Sequence, residues 1–470
     1  MSPDVDCVIV GGGISGLAAA YELHKRGVPF RLLEQRDRLG GVILNEHLDG
    51  YTIDAGPDAL LVQKPDGIAL CAELGLGDRL VPTRPPRLAY VQRGGRLHAL
   101  PVGSVLGIPT AFGPLVTTRL FTWTGKMRMA AEVLVPPRRD DRDESIGDFV
   151  TRRFGEEATT YIAEPLLAGI HAGDVSRLSI RALFPRLWDA ERKYGSLIRA
   201  FRHPPQTVSE ESRDGAFRSL PGGLSEMVGA LVKRLPAGSA CVGTRVSRVA
   251  WQPDGGSFRV ESGSAPTIET RSLVFATPAY LTGDLVRNVD ADLARLCREL
   301  TYASTATVAM AFQRDVVVHP LNGSGFVVPR AERTGILASS WLSSKWPDRA
   351  PGGRVLLRTF VGGARDPRAL ERSDPELVSL SLQALAPILG ISGEPLLSRV
   401  YRWERATPQY EVGHLDRLTA IDRALNAFPG LFVCGNGFRG VGIPDCVAEG
   451  RATGAQVAQF LSQRRAASLA

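Results

Sequence analysis

A short apolar run, Cys7-Val8-Ile9-Val10, enters Gly11-Gly12-Gly13-Ile14-Ser15-Gly16, and Leu17 to Leu23 then reads as a helix that ends by Gly27. This is G-x-G-x-x-G between a strand and a helix, the context in which the glycines specify a dinucleotide site. Gly11 permits the tight turn, Gly13 lets backbone approach a pyrophosphate, and Gly16 lets the helix pack closely on the strand. The helix start, with Gly12, Ile14 and Ser15 around it, offers free N–H groups and partial positive charge to phosphate. A second strand, Pro29 to Leu33, ends in Glu34, eighteen positions after Gly16, with Gln35 beside it. That is near the spacing at which an acid meets a ribose hydroxyl, and an acid there disfavours a phosphorylated ribose. The fold class that follows is α/β, with a Rossmann-type domain at the N-terminus.

At 470 residues the chain exceeds what one hydrophobic core fills, so two or three domains are expected. Its six cysteines stand singly, with no C-x-x-C pair, which fits a reducing compartment and a cytoplasmic protein. The N-terminus carries acid where a secretory leader carries base. The net charge of +7 would attract phosphate. No helix-turn-helix, zinc-finger or aromatic RNA-binding signature accompanies it, so nucleic acid is not the expected partner. An anionic small substrate or an anionic membrane surface explains the same charge. Leu97 to Thr118 is free of formal charge but holds Pro101, Pro109 and Pro114, which rules out a lipid-spanning helix. Flanked by Arg93, Arg96, Arg119, Lys126 and Arg128, it reads either as a peripheral membrane contact or as a loop over the protein's own core.

A second strand-to-helix turn lies near the other end. Leu431 to Cys434 is apolar, Gly435, Gly437, Gly440 and Gly442 follow, and Ala448 to Phe460 reads as helix. Leu220 to Leu224 opening a helix, Val246 to Val249, and Leu273 to Pro278 supply middle pieces. The nucleotide domain is therefore expected to be assembled from separated segments, 1–85, 215–290 and 410–470. Residues 103–205 show short amphipathic helices and form a helical insertion. Residues 86–102 and 291–409 carry strand patterns at Thr305 to Phe312, Gly325 to Pro329 and Arg354 to Gly363, a mixed β-sheet domain for substrate.

Arg38-Leu39-Gly40-Gly41 and the later Asp54-Ala55-Gly56-Pro57-Asp58 resemble the FAD-binding amine oxidase and porphyrinogen oxidase group. The resemblance implies FAD, with Arg38, Val42 and the turn Gly56, Pro57, Asp58 and Ala59 on its flavin side. It further implies Val246 against the adenine, and Val441, Gly442 and Ile443 at the flavin. Five ordered blocks narrow it to the oxygen-dependent protoporphyrinogen and coproporphyrinogen oxidases. They are Leu167 to Asp174, Phe184 to Leu187 with Glu191 and Gly195-Ser196, Phe360 to Arg365, Arg402-Trp403 with Pro408 to Tyr410 and Gly413-His414, and the terminal glycines.

By this resemblance Gly169, Val327 and Phe360 sandwich a tetrapyrrole, Trp403 is a flavin-side aromatic, and Arg87 or Lys64 holds a propionate. The implied reaction turns a porphyrinogen into a porphyrin with three O2, releasing three H2O2. Chemistry rests on the flavin, and no obligatory side-chain acid or base is visible; His171 is a candidate for moving protons, against the commoner structural histidine. A nicotinamide site, a catalytic metal and a G-x-S-x-G hydrolase elbow have no motif here. The alternatives are a flavin amine oxidase or carotenoid desaturase of the same group, or a non-catalytic flavin- or tetrapyrrole-binding protein. Which porphyrinogen is used stays open, and so does a homodimer.

Overall fold

Val5–Val10 runs through the middle of a seven-stranded sheet, parallel to Phe30–Leu33 on one side and to Ile268–Phe275 on the other. Cys7, Val8, Ile9 and Val10 are all buried, the continuous apolar run expected of a parallel strand covered on both faces. Ala240–Cys241 and Leu431–Val433 add further parallel strands, and Arg248–Gln252 with Ser257–Glu261 form an antiparallel ribbon at one edge. Helix Ile14–Lys25 packs on this sheet against the C-terminal helix Ile443–Leu469. The computed structural model describes residues 5–100, 104–105, 108–109, 112–201, 214–263 and 266–469. The sequence reading of Leu97 to Thr118 falls partly outside these, as do the limits placed at 103 and 205 and the first four residues.

A second seven-stranded sheet stands apart. Its order is Leu397–Pro408, Tyr302–Gln313, Arg354–Gly362, Ile336–Trp341, Gly325–Val327, Ala89–Arg93 and Arg96–Ala99, antiparallel except where Gly325–Val327 meets Ala89–Arg93. Alternation sorts its side chains. Val308, Met310, Leu357 and Val361 join Leu377 and Leu385 of helix Asp374–Leu389 in a core on one face. The register places Val327, Ala338, Phe360, Thr307, Thr305 and Trp403 together on the other face. The strands are longer than the sequence pattern suggests: Tyr302–Gln313 starts three residues before Thr305, because a bulge between Ala303 and Thr305 lets the pairing continue.

Between residues 112 and 201 lies a helical layer around Phe149, Phe154, Ile162, Leu187 and Trp188. Ile146–Phe154 is capped by Ser145, which accepts from the Asp148 N–H, and the next helical stretch runs from Glu156 to His171 through a π-helical turn at Thr159–Ala163. The layer encloses a charged frame. Arg153, fully buried, is bonded to Glu132 and lies 3.3 Å from Glu191, which Arg152 also meets at 2.6 Å. Ser196 donates to Glu132 at 2.5 Å. The Glu191 and Gly195-Ser196 block of the sequence thus belongs to this frame. Among the described residues no helix is long and apolar enough to cross a membrane.

Candidate functional site: a dinucleotide crevice facing an apolar wall

The glycine motif separates into positions the protein itself requires and one it does not. Gly11 has φ +109°, and a Cβ there would lie 2.6 Å from the Ala276 carbonyl oxygen. On Gly16 a Cβ would lie 2.0 Å from the Gly11 carbonyl oxygen, and on Gly12 it would meet Leu39 at 2.5 Å. These three are close-packing glycines. Gly13 differs: it is extended at φ −70°, and a Cβ would touch no protein atom within 4 Å. Nothing in the protein needs Gly13 bare, so the space over it suits a ligand. Gly13 is also the N-cap of Ile14–Lys25 without any side-chain cap, leaving the amides around Ile14, Ser15 and Gly16 to an anion.

The neighbouring segments close round this point. Gly40 N–H donates to the Gly12 carbonyl at 2.8 Å, and Gly41, at φ +61°, brings its would-be Cβ within 3.1 Å of Gly13 Cα. Arg38 folds over that loop, donating to the carbonyl oxygens of Gly41 at 2.7 Å and Ile43 at 3.3 Å. Glu34 is buried at the mouth, its carboxylate accepting from Gly12 N–H at 2.6 Å and Arg36 N–H at 2.9 Å. Gln35 next to it is exposed. Val246 is buried in the core on the face of the first sheet opposite helix Ile14–Lys25.

The turn after Tyr51–Asp54 is fastened to the second sheet by its carbonyl edge. Ala55 O accepts from Thr307 Oγ1 at 2.7 Å and Trp403 Nε1 at 3.0 Å. Arg358 donates to Asp54 O at 2.6 Å and Gly56 O at 2.7 Å, and Ser219 Oγ donates to Asp58 O at 2.7 Å. A Cβ on Gly56 would lie 2.0 Å from the Val42 carbonyl oxygen and 3.7 Å from Trp403 Cζ2. With the carbonyls committed, the N–H edge around Gly56, Asp58 and Ala59 is what the turn offers to a cofactor; Pro57 has no N–H to give. The Asp58 carboxylate accepts from Arg358 Nη2 at 2.7 Å, Lys345 Nζ at 2.6 Å and Trp346 Nε1 at 2.7 Å. Burial opposes its ionisation, but Lys345 and Arg358 outweigh that and hold the carboxyl well below the usual range. Asp54 pairs with the fully buried Arg349 at 2.8 Å, which also reaches the Pro221 carbonyl at 2.5 Å.

On the same face of the second sheet Val327, Ala338 and Phe360 stand side by side, and Gly169 closes on them. A Cβ on Gly169 would lie 3.2 Å from Val327 Cγ1 and 3.6 Å from Ala338 Cβ. Phe360 is also the cross-strand partner of Thr307, the residue bonded to Ala55. The three residues proposed for a flat macrocycle therefore converge one strand away from the flavin-side turn. The helix that carries Gly169, Glu164–His171, is fixed by Arg365, which pairs with Glu164 at 2.5 Å and with Asp174 beyond its end at 2.9 Å. Gln409 Nε2 holds the His171 carbonyl at 2.9 Å. The His171 Nδ1 is buried without a hydrogen-bond partner among the described residues, and burial, with Lys64 nearby, lowers its pKa to about 4.

Val441, Gly442 and Ile443 stand at the start of the C-terminal helix, where Asp445 accepts from Gly442 N–H at 3.2 Å. Lys64 pairs with that same Asp445 at 2.6 Å, so it sits beside the helix start. Arg87 is exposed, its Nε donating to Thr83 O at 3.0 Å and its stem against Gly215. Arg87 and Lys64 thus have different partners, Thr83 and Asp445. Cys446 is a buried thiol pushed up to about 12, which fits packing. Among the described residues no cluster of His, Cys, Asp and Glu fits a metal ion. Sequence reasoning missed Arg349, Arg358, Lys345 and Trp346, the donors that fasten the turn; the closest signal was the charge pattern Lys345-Trp346-Pro347-Asp348-Arg349 inside an otherwise apolar region.

The family described as flavin containing amine oxidoreductase matches residues 14–458. The coproporphyrinogen III oxidase of Bacillus subtilis is 35% identical over 97% of this chain and 98% of its own. Protoporphyrinogen oxidase 1 of Arabidopsis chloroplasts is 30% identical over 97% of this chain and 89% of its own. A crystal structure of a candidate protoporphyrinogen oxidase from Exiguobacterium superposes with a TM-score of 0.86 at 31% identity, covering 97% of this chain and 99% of that one.

Proposed function

The chain belongs to the flavin containing amine oxidoreductases, and on that premise we propose that it is an oxygen-dependent porphyrinogen oxidase of heme biosynthesis acting on coproporphyrinogen III. The observation that carries this reading is the wall of Gly169, Val327, Ala338 and Phe360, flat and apolar, one strand from the turn that Trp403 and Arg358 hold in place. Such a surface suits a macrocycle and offers no anchor to a small amine. The relative that is 35% identical carries the coproporphyrinogen name, and four propionates on that substrate match a net charge of +7.

When bound, FAD would supply the hydride acceptor, and O2 would take the two electrons from the reduced cofactor and leave as H2O2. The chain's own part is placement. Gly13 and the uncapped helix would hold the diphosphate, Glu34 a ribose hydroxyl, and the N–H edge of Gly56 to Ala59 the flavin; the bare space at Gly13 and the missing side-chain cap support this. The wall orients a bridge carbon of the substrate and keeps water away from it. Lys64 or Arg87 provides charge for a propionate. His171 is neutral at working pH, its Nδ1 without a hydrogen-bond partner among the described residues, and burial opposes its holding a proton.

The test is aerobic turnover of the purified flavoprotein with each porphyrinogen, following porphyrin fluorescence and peroxide. Faster turnover with coproporphyrinogen III supports the assignment. A preference for protoporphyrinogen IX moves it to the other substrate, and no porphyrin above the spontaneous rate from either removes it.

A peripheral membrane contact is a second part of the reading. Trp123, Met127 and Leu134 are 68%, 70% and 80% exposed, next to exposed Arg119. Lys126 Nζ holds the Val116 carbonyl at 2.6 Å and lies 4.5 Å from the centre of the Trp123 ring, presenting these groups outwards. Pelleting with anionic but not neutral liposomes, lost in Trp123→Ser with Met127→Ser, is the expected result; no pelleting with either removes it.

A further inference from the structure

The glycine loop between Val433 and the C-terminal helix is held by side chains at most of its turns. Gly435 N–H donates to Glu449 Oε2 at 2.9 Å, and Tyr410 donates to Asn436 O at 2.7 Å. His414 Nε2 lies 3.0 Å from Phe438 O, and Asp445 takes Gly442 N–H. Glu449 is the unusual member. Its Oε1 is buried with no hydrogen bond among the described residues, and the nearest cation, Arg439, stands 3.8 Å away and already pairs with Asp422 at 2.5 Å.

This carboxyl lies directly behind the phosphate end of the crevice. A Cβ on Gly435, whose N–H Glu449 holds, would lie 3.9 Å from Ser15 Oγ, and one on Gly450, the next residue, would lie 2.3 Å from the Ser15 carbonyl oxygen. Ser15 is in the uncapped helix start that seats a diphosphate. A carboxylate and a diphosphate this close, away from bulk water, disfavour each other's charge. A cleft of about 690 Å³, lined by Glu449 together with Arg439, Asp422 and Thr453, gives protons a route to the site.

We propose that FAD binding is linked to one proton at Glu449, which the diphosphate seated at Ser15 keeps neutral at alkaline pH, where the empty site lets it ionise and binding takes the proton up from solvent. This rests on the cofactor reading alone and is independent of which porphyrinogen is oxidised. The groups facing Glu449 agree with it. Asp445 and Asp422 oppose its ionisation, Lys64 pairs with Asp445 and not with Glu449, and the buried Tyr410, Cys434 and Cys446 carry no charge at neutral pH. The Gly435 N–H at 2.9 Å and, across 3.8 Å, Arg439 favour the ion. Burial, more than these neighbours, pushes the Glu449 pKa up to about 8, where a proton is exchanged within the working range. Whether neutral or charged, one oxygen still accepts from Gly435, so the loop keeps its hold and only the charge changes.

By linkage, FAD should bind with a pH-independent dissociation constant below about pH 7.5 and weaken roughly five- to tenfold between pH 7 and pH 9. The experiment is titration of the full-length protein with FAD, read by flavin fluorescence, across that range for the parent and Glu449→Gln. The amide of Glu449→Gln keeps an oxygen for Gly435 and cannot ionise, so its constant should stay tight and flat. A flat parent curve, or a pH slope that persists unchanged in Glu449→Gln, overturns the proposal. Failure of the parent to bind FAD at any pH sinks the cofactor reading and the proposal with it. Should Glu449→Gln not fold, calorimetry of the parent at pH 8.5 in two buffers of different ionisation heat decides: uptake of roughly half to one proton per FAD is expected, and none overturns it.

Discussion

Arg358 reaches from the middle of the second sheet to Asp58 at 2.7 Å, and with its other guanidinium nitrogen binds the carbonyls of Asp54 and Gly56. One buried side chain thus fixes both the backbone and the carboxylate of the turn proposed to face the flavin, and does so from the strand that carries Phe360 two residues on. The two halves of the site are set at a fixed distance by this bond. Methionine at 358 would fill the space but leave Asp58 buried with two donors in place of three and two carbonyls unbonded. Arg358→Met should cost about 3 kcal/mol or more, seen as a lowered urea midpoint, and should release flavin on gel filtration. Arg358→Lys should recover only part, because one ammonium cannot span the three acceptors.

The glycine motif yields a sharper test because two of its members have different reasons to be glycine. Gly13→Ala adds a methyl that meets no protein atom, in a backbone conformation any residue adopts. Stability without flavin should change by less than about 0.5 kcal/mol, while FAD affinity falls at least about tenfold. Gly16→Ala drives its methyl to 2.0 Å from the Gly11 carbonyl oxygen and should destabilise the fold itself by about 2 kcal/mol or more. Equal effects of the two on unfolding midpoints would refute the assignment of Gly13 to the ligand.

Much of this was legible in the residues, and the limit has a physical form. The strand, the glycines, the helix and Glu34 are local in sequence, so turn chemistry and periodicity expose them, and they stand where the structure has Gly12, Gly16 and Glu34 meeting near neighbours in the chain. Gly169, Val327 and Phe360 are far apart in sequence, and only the resemblance to known oxidases named them. The sheet register places Val327 and Phe360 on one face, and helix Glu164–His171 brings Gly169 against Val327. Arg349, Arg358 and Glu449 were invisible because a charged residue in a sequence reads as surface by default. Their burial follows from partners contributed by Asp54, Asp58 and Gly435, segments brought near only by the assembled fold. The C-terminal helix begins at Ile443, before the pattern starting at Ala448, since Gly442 and Pro444 hide a start that Asp445 stabilises.

His414 sets part of the acid limb of stability. It is buried, stacked on Tyr410 with ring centres 3.8 Å apart, and burial lowers its pKa from 6.5 to about 4. The unfolded chain takes up a proton as pH falls through 6.5, whereas the folded one does not until about 4. The fold therefore has this contribution in full above pH 6.5 and loses it between 6.5 and 4, to the extent of about 3 kcal/mol. His414→Phe keeps the stack and cannot titrate. Denaturant unfolding at pH 7 and pH 4.5 should show the smaller acid loss for the variant, even if its stability at pH 7 is lower for want of the bond to Phe438 O.

Gly169 decides how much room the apolar wall leaves. A Cβ at this position already lies 3.2 Å from Val327 Cγ1, so alanine needs a shift of a few tenths of an ångström and leucine must turn its side chain into the space before Phe360. The helix that carries it is held by Arg365 at both Glu164 and Asp174 and cannot easily back away. Gly169→Leu should therefore keep the flavin spectrum and lose turnover of the porphyrinogen by about a hundredfold, the loss of a few kcal/mol of transition-state positioning. Gly169→Ala should lie between, with a raised KM and a kcat close to that of the parent. Unimpaired turnover by Gly169→Leu with its flavin bound would mean that the macrocycle lies elsewhere than against Val327 and Phe360.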